Sequence, residues 1–122
     1  MAEHIAQLAR YRFPDKVVAK GLRGTFKELG ALDILIAEKL AAMLRSQDPR
    51  MADEIRNEDD RVDELHVSVF EKVLSDTFTG EAVNVVDATL ASRYHERFAD
   101  HAVSIAKKVQ YLATGDWVPA DA

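Results

Sequence analysis

Helical periodicity over three long segments is the feature that most limits the fold of this 122-residue chain. Between residues 22 and 113, apolar residues return every three or four positions, and short breaks containing Pro or Gly separate the periodic segments. No segment alternates apolar and polar residues as a half-buried strand does. Because short connections force long helices to run antiparallel to their chain neighbours, the pattern predicts an all-α protein. We expect an antiparallel three-helix bundle preceded by a short N-terminal helix.

Breaking and capping residues set the expected helix boundaries. Pro14 ends the first helix, Asp48 is expected to cap the third with Pro49 at its first position, and Gly115 ends the last. The four predicted helices are Ala2–Arg12, Leu22–Ser46, Pro49 to about Asp76, and about Glu81 to Ala113. The residues predicted to pack the bundle are Leu32, Leu40, Val62, Val69, Leu90 and Ile105.

Composition excludes several classes of protein. The formal net charge of −5 argues against a nucleic-acid binder, because phosphate binding needs a positive surface. The chain has no cysteine, so it has neither disulfides nor thiolate metal ligands. No apolar run approaches the roughly 20 residues that a membrane-spanning helix needs. We therefore expect one soluble, cytoplasmic domain that does not insert into a membrane.

Two pairs of carboxylates have the spacing of neighbours on a helix surface. Asp59 and Asp63 are four residues apart, and so are Glu96 and Asp100. Like charges placed so closely repel unless a cation lies between them. If antiparallel helices bring the two pairs together, four carboxylates converge on one point and could bind a metal. The alternative is an ordinary solvated surface, which is the expectation for Asp60, Arg61 and Glu64. Arg93 and Arg97 would then neutralise the second pair.

The histidines give weaker indications. His66 follows Asp63 by three residues, whereas His101 falls in the apolar stripe of the last helix and is expected to be a hydrogen-bonded core residue. His4 and His95 are expected to be exposed. A di-iron oxygenase bundle would need two Glu-x-x-His segments, and only Asp63-x-x-His66 approaches that pattern. No nucleophile motif and no phosphate-binding glycine loop is present, so catalysis is not indicated.

The two ends of the periodic region resemble each other. "AEHIAQLARY", from residue 2, and "AVSIAKKVQY", from residue 102, share four identities at an offset of 100 residues. Chance in Ala-rich helical sequence is one explanation. The other is that the first helix is the remnant of an earlier three-helix repeat.

The segment "RYHERFADHAVSIAKKVQYLATG", residues 93 to 115, closely resembles the end of PhoU-family proteins, and "NEDDRVDELH" is similar to that family's partner segment. Family members consist of two homologous three-helix bundles. The resemblance covers residues 22–115 as the C-terminal bundle. It implies that residues 1–21 are the tail of a preceding helix plus a linker, and that residues 116–122 form a C-terminal tail. The chain would then be a truncated one that begins at an added Met1.

The resemblance implies a regulator rather than an enzyme. PhoU proteins are cytoplasmic and peripheral to the phosphate-specific ABC transporter, and its phosphate signal needs them to silence a sensor histidine kinase. This negative regulation of the phosphate regulon is the expected function. A weak or helix-swapped homodimer is also expected, since the first helix would lack the bundle that it completes. The alternative function is a carboxylate-bridged metal-binding helical enzyme or a metal-storage bundle.

The resemblance also implies a metal-binding face that holds Mg, Mn, Zn or Fe. Carried over by position, the metal ligands are Asp59, Asp63, Glu96 and Asp100, with His66, Arg93, Arg97 and His101 as auxiliary residues. Ser104 and Lys107 stand where the family often has Asn and Glu, so a fuller ligand set is not predicted.

Overall fold

The computed structural model describes residues 1–75, 78 and 82–117, and every regular element among them is helical. The elements are α1 (Ala2–Arg12), a single 3₁₀ turn (Lys20–Leu22), α2 (Arg23–Ser46), α3 (Met51–Val73) and α4 (Ala82–Thr114). Helices α2, α3 and α4 pack on one another as an up-down-up bundle, so α2 and α4 run parallel with α3 antiparallel to both. The all-α fold is confirmed.

Local backbone chemistry explains the helix ends. Gln47 adopts the left-handed conformation after α2 and returns its N–H to the Met43 carbonyl, while Gly115, also at positive φ, bonds back to Tyr111. The start of α3 was predicted two residues too early, because the Asp48 carboxylate accepts the Arg50 N–H in a turn that precedes the helix. The predicted end of the third helix at Asp76 and start of the fourth at Glu81 lie outside the described residues.

The core is built on one face of each long helix. In α2 the buried residues Leu29, Ile36 and Met43 recur every seven positions, which keeps them on one side of the helix. A second, smaller cluster closes the end of the bundle where α3 finishes and α4 begins. Its members are Leu22, Val69, Val73 and Ala88.

Two of the six predicted packing residues were assigned wrongly. Val62 and Val69 are fully buried, and Leu32 and Leu40 pack partly buried against the core. Leu90 and Ile105 are instead 40% and 41% exposed. The buried face of α4 is a stripe of small residues, most of them alanines: Ala88, Ala91, Ser92, Ala99, Ala102, Ala106 and Val109. Small side chains let α2 and α3 approach α4 closely. The face of α4 that carries the small residues is therefore buried, and the face that carries Leu90 and Ile105 is not.

Because a different face of α4 is buried from the one predicted, the expectations for two histidines are also wrong. His101 is exposed rather than in the core. His95 points inward, where its Nδ1 lies 2.6 Å from Oδ2 of the buried Asp33. His4 is exposed as predicted and contacts the Tyr94 ring.

Helix α1 lies against α4, where the Arg12–Asp87 ion pair and the contact between the His4 and Tyr94 rings join the two helices. The Arg12 guanidinium donates to both carboxylate oxygens of Asp87, at 2.7 and 3.1 Å. Asp87 is only 2% exposed, and a buried carboxylate is tolerated when it is paired in this bidentate way. No residue of α1 is itself fully buried, and this ion pair links the helix to a buried side chain of α4.

Candidate metal centre

Helices α3 and α4 bring the two carboxylate pairs together at one face of the bundle. Oxygens of Asp63, Glu96 and Asp100 lie within 4.8 Å of one another, and Asp63 belongs to a second group of the same size with Asp59 and Asp60. Each pair is one helical turn long, so its two carboxylates project from the same side of their helix. The four carboxylates named from the sequence therefore converge.

Asp59 is the most strongly perturbed member of this cluster. Its Oδ1 is buried and has no hydrogen-bond partner among the described residues. Burial first, and then the charges of Asp63 and Asp100, raise the pKa of Asp59 to about 7. A carboxylate that keeps its proton near neutrality lacks a nearby positive charge.

The other carboxylates respond in the same direction. Burial, followed by a hydrogen bond to Glu96, raises the pKa of Asp100 to about 6, although Arg93 and His101 oppose the shift. Burial and the Asp100 charge also raise the pKa of Asp63, against the effect of His66. The cationic side chains around the cluster therefore do not compensate its charge.

The auxiliary residues differ in their positions. Arg93 forms an ion pair with Glu96, whereas the Arg97 side chain, one helical turn later, is exposed to solvent. His66 Nδ1 lies 2.5 Å from Ser92 Oγ, and burial, reinforced by Arg93, lowers the pKa of His66. The imidazole is therefore neutral at the edge of the cluster, the state in which histidine binds metals.

The sequence interpretation missed Asp60 as a member of the cluster. It was assigned to the solvated surface with Arg61 and Glu64, which do form an exposed ion pair with each other. Asp60 is exposed too, but it contributes an oxygen to the group that contains Asp59 and Asp63. Its separation of three residues from Asp63 was the available signal, since residues at i and i+3 share a helix face.

The donor set fits a hard cation. Carboxylate oxygens are the ligands preferred by Mg²⁺, Mn²⁺ and Ca²⁺, and a neutral imidazole suits Fe and Zn. The unpartnered Asp59 Oδ1 and the proton-retaining carboxylates are both features that a cation would satisfy. The residues present therefore fit the metal that the family resemblance implies.

Comparison with known proteins identifies the family. The PhoU domain model matches residues 26–109, which include all four helix-borne carboxylates. The chain belongs to the PhoU family. It is 37% identical over 115 residues to the phosphate-specific transport system accessory protein PhoU homolog 2 of Mycobacterium tuberculosis, covering 94% of this chain and 54% of that protein.

More distant relatives carry the same description. The PhoU homolog 1 of Mycobacterium leprae is 36% identical over 121 residues, covering 99% of this chain and 54% of its own length. The PhoU homolog of Rhizobium meliloti is 27% identical over 117 residues, or 93% and 47% of the two chains. The chain thus spans about half the length of these curated relatives. No solved structure matches it. None of the described helices combines the length and apolar character that crossing a bilayer requires.

Proposed function

We propose that this chain acts as an accessory regulator of phosphate-specific transport whose α3–α4 face binds a metal ion. The observation that carries the proposal is that Asp63 lies close to Asp59 and also to Glu96 and Asp100. The pKa values of Asp59 and Asp100 stay raised although Arg93 forms an ion pair with Glu96. Membership of the PhoU family and the names of its relatives support the link to phosphate transport.

A bound metal ion would act in two ways, by neutralising charge and by fixing the distance between two helices. A cation bound by carboxylates from both helices would neutralise their repulsion and hold α3 and α4 at a set separation. Metal occupancy would thus stabilise one arrangement of the bundle surface, and a partner protein could recognise that arrangement. Mn²⁺, Mg²⁺ and Fe are the ions best matched to the oxygen-rich set, with Zn²⁺ the ion that would make most use of His66.

Regulation rather than catalysis is favoured by the surroundings of the cluster. A di-iron type of centre uses two Glu-x-x-His segments, and only Asp63-x-x-His66 approaches that pattern. The His66 imidazole also lies within hydrogen-bond distance of Ser92. We propose that the protein acts from the cytoplasm, at the inner face of the membrane, through contact with the phosphate ABC transporter and a sensor histidine kinase. Such contacts would convey a signal of phosphate sufficiency to the kinase and keep the phosphate regulon silent.

A cellular experiment tests the proposal. In a bacterium deleted for its own PhoU proteins, expression of this chain should restore silencing of a phosphate-starvation reporter at high phosphate. The variant Asp59→Asn should fail to restore silencing, whereas Glu71→Gln should behave as wild type, because Glu71 is an exposed carboxylate on the same helix. Stable wild-type protein that leaves the reporter unchanged would refute the regulatory role. Silencing by Asp59→Asn equal to wild type would separate that role from metal binding.

A further inference from the structure

A positively charged surface lies where α1 ends and α2 begins. Six of the sixteen Lys and Arg residues fall between residues 10 and 27, a segment with one Asp and no Glu, although the whole chain has a formal net charge of −5. Arg12 is taken up by its ion pair with α4. Arg10, Lys16 and Arg23 are exposed and form no ion pair with any described residue. Arg23 also opens α2, where the helix dipole disfavours a cation, so helix stability does not explain its charge.

Two aromatic side chains project from the same surface. Tyr11 is 83% exposed and Phe13 is 82% exposed. Arg10 lines both the shallow groove beside Tyr11 and the one beside Phe13. A third open groove, of about 500 Å³, brings Phe13 together with Lys16 and Arg23. Because these grooves share lining residues, the three cations and the two rings form one continuous surface, which we call the basic–aromatic surface.

We propose that the basic–aromatic surface binds the headgroup region of an anionic lipid bilayer. Each Lys or Arg near such a bilayer increases binding about fivefold, and exposed aromatic rings favour the boundary between headgroups and acyl chains. Cations and rings that project outward side by side therefore match the two components of that boundary. The contact would be peripheral, with Tyr11 and Phe13 at the level of the headgroups. It is separate from the carboxylate cluster and goes beyond the proposed regulatory function.

The acidic remainder of the chain does not cancel this attraction at physiological salt. Asp15 is the one acidic residue that lines the three grooves. The carboxylate cluster lies farther along the bundle, since Glu58, next to Asp59, pairs with Lys39, sixteen residues after Arg23 in α2. At 1.5 Å per residue that separation is about 24 Å. It is about three times the Debye length at physiological ionic strength, so the basic–aromatic surface can meet a bilayer with the cluster's charge screened.

The test is co-sedimentation of the intact chain with vesicles in the presence of EDTA, so that no metal bridges the carboxylates to lipid. Vesicles of equal parts phosphatidylglycerol and phosphatidylcholine should bind the chain with a Kd of about 1 mM accessible lipid, and phosphatidylcholine alone should not. Replacing Arg10, Lys16 and Arg23 together by Gln should weaken binding about a hundredfold. Phe13→Ala should weaken it about tenfold. Binding by the wild type should fall steeply as salt is raised.

Exposed side chains outside this surface supply matched controls. The triple variant Arg45→Gln, Arg97→Gln, Lys108→Gln removes the same charge from exposed residues that also form no ion pair with a described residue. Leu112→Ala removes an apolar side chain that is 78% exposed. Both controls should bind anionic vesicles within about twofold of the wild type. Circular dichroism should show unchanged helix content in every variant, because each altered side chain is exposed.

Four outcomes would overturn the proposal. The first is no binding to anionic vesicles at about 10 mM lipid. The second is an equal loss of binding in the two triple variants, which would make net charge responsible rather than this surface. Equally strong binding to poly-L-glutamate, unaffected by Phe13→Ala, would identify a site for an acidic protein. Release from vesicles by about 10 mM inorganic phosphate at constant ionic strength would identify a site for a free anion. The chelator makes each result independent of the metal site and of the reporter experiment.

Discussion

At the scale of single residues, the proposed metal site consists of carboxylates that are closer together than their charges favour. Asp59 shows this most clearly, because its pKa of about 7 reflects burial first and the neighbouring Asp63 and Asp100 second. The arrangement costs stability in the metal-free protein. The proposed cation would offset that cost, so removing one carboxylate should have opposite effects in the metal-free and metal-bound states.

Asp59→Asn is the first prediction. It should leave the metal-free protein as stable as wild type or slightly more stable, because it removes one repelling charge. It should also abolish the rise in melting temperature caused by Mn²⁺ or Zn²⁺. For the wild type, metal at 100 times its Kd should contribute about 2.7 kcal/mol. The measurement is a thermal melt with and without metal, and Glu71→Gln is the control. A wild-type melting curve that does not move across a wide range of metal concentration would support plain ion pairing instead.

The second prediction concerns pH in the presence of a chelator. Because the pKa of Asp59 rises from 3.8 to about 7 on folding, the folded protein holds a proton between these values that the unfolded chain has released. The free energy of unfolding should therefore fall as pH rises through this window and level off above it. The raised pKa values of Asp63 and Asp100 act in the same direction. Urea denaturation at pH 5 and pH 7.5 measures the slope, which should be smaller in Asp59→Asn. Identical slopes in the two proteins would contradict the assignment.

At the scale of elements, one ion pair links α1 to a buried side chain of α4. Arg12 is partly exposed and Asp87 is almost fully buried, so the pair is asymmetric. The carboxylate depends on the arginine far more than the arginine depends on it. This dependence couples a helix with no fully buried residue to the stability of the bundle.

Arg12→Ala is the third prediction. It should lower the free energy of unfolding, because a buried carboxylate is left without its partner. The double variant Arg12→Leu with Asp87→Leu should recover most of this loss, since an apolar pair replaces a buried ion pair at little cost. Urea titrations of the single and double variants measure both effects. An unchanged free energy of unfolding in Arg12→Ala would mean that water reaches Asp87 when α1 moves away.

At the scale of the whole molecule, α1 is a short helix on a connecting segment, residues 13–19, and its partner surface on α4 is present in every copy of the chain. The same Arg12–Asp87 contact can therefore form within one chain or between two. Exchange of such an element between identical chains gives a dimer without any new interface.

A weak dimer at high concentration is the fourth prediction. Sedimentation equilibrium should show concentration-dependent association of the full chain. Deleting residues 1–13 together with Asp87→Leu should give a monomer that keeps the helix content of α2, α3 and α4, measured by circular dichroism. The Asp87 substitution is needed because deletion alone would leave a buried carboxylate unpaired. A dimer that persists after the deletion would exclude helix exchange. Loss of the bundle would make α1 an integral part of the core.

Helix content and approximate helix ends could be predicted from the sequence because their causes are local. The bounds of α1 were predicted to the residue, and Gly115 ends α4 as its conformational freedom suggested. Spacing alone put each carboxylate pair on one side of its helix. The convergence of the pairs depended on the resemblance to PhoU proteins, since spacing within a helix does not say which helices meet.

The sequence by itself therefore determined the features whose causes lie within about one helical turn. These are the helical periodicity, the helix ends and the charges that neighbour one another on a helix. Only the tertiary structure decided how each helix is rotated. Leu90 and Ile105 face outward because the small residues of α4 permit a closer approach than the bulky face does. The same rotation brings His95 to Asp33, 62 residues away, and Asp87 to Arg12, 75 residues away. Such pairs follow from the packing of whole helix faces, and no local pattern in either segment identifies its distant partner.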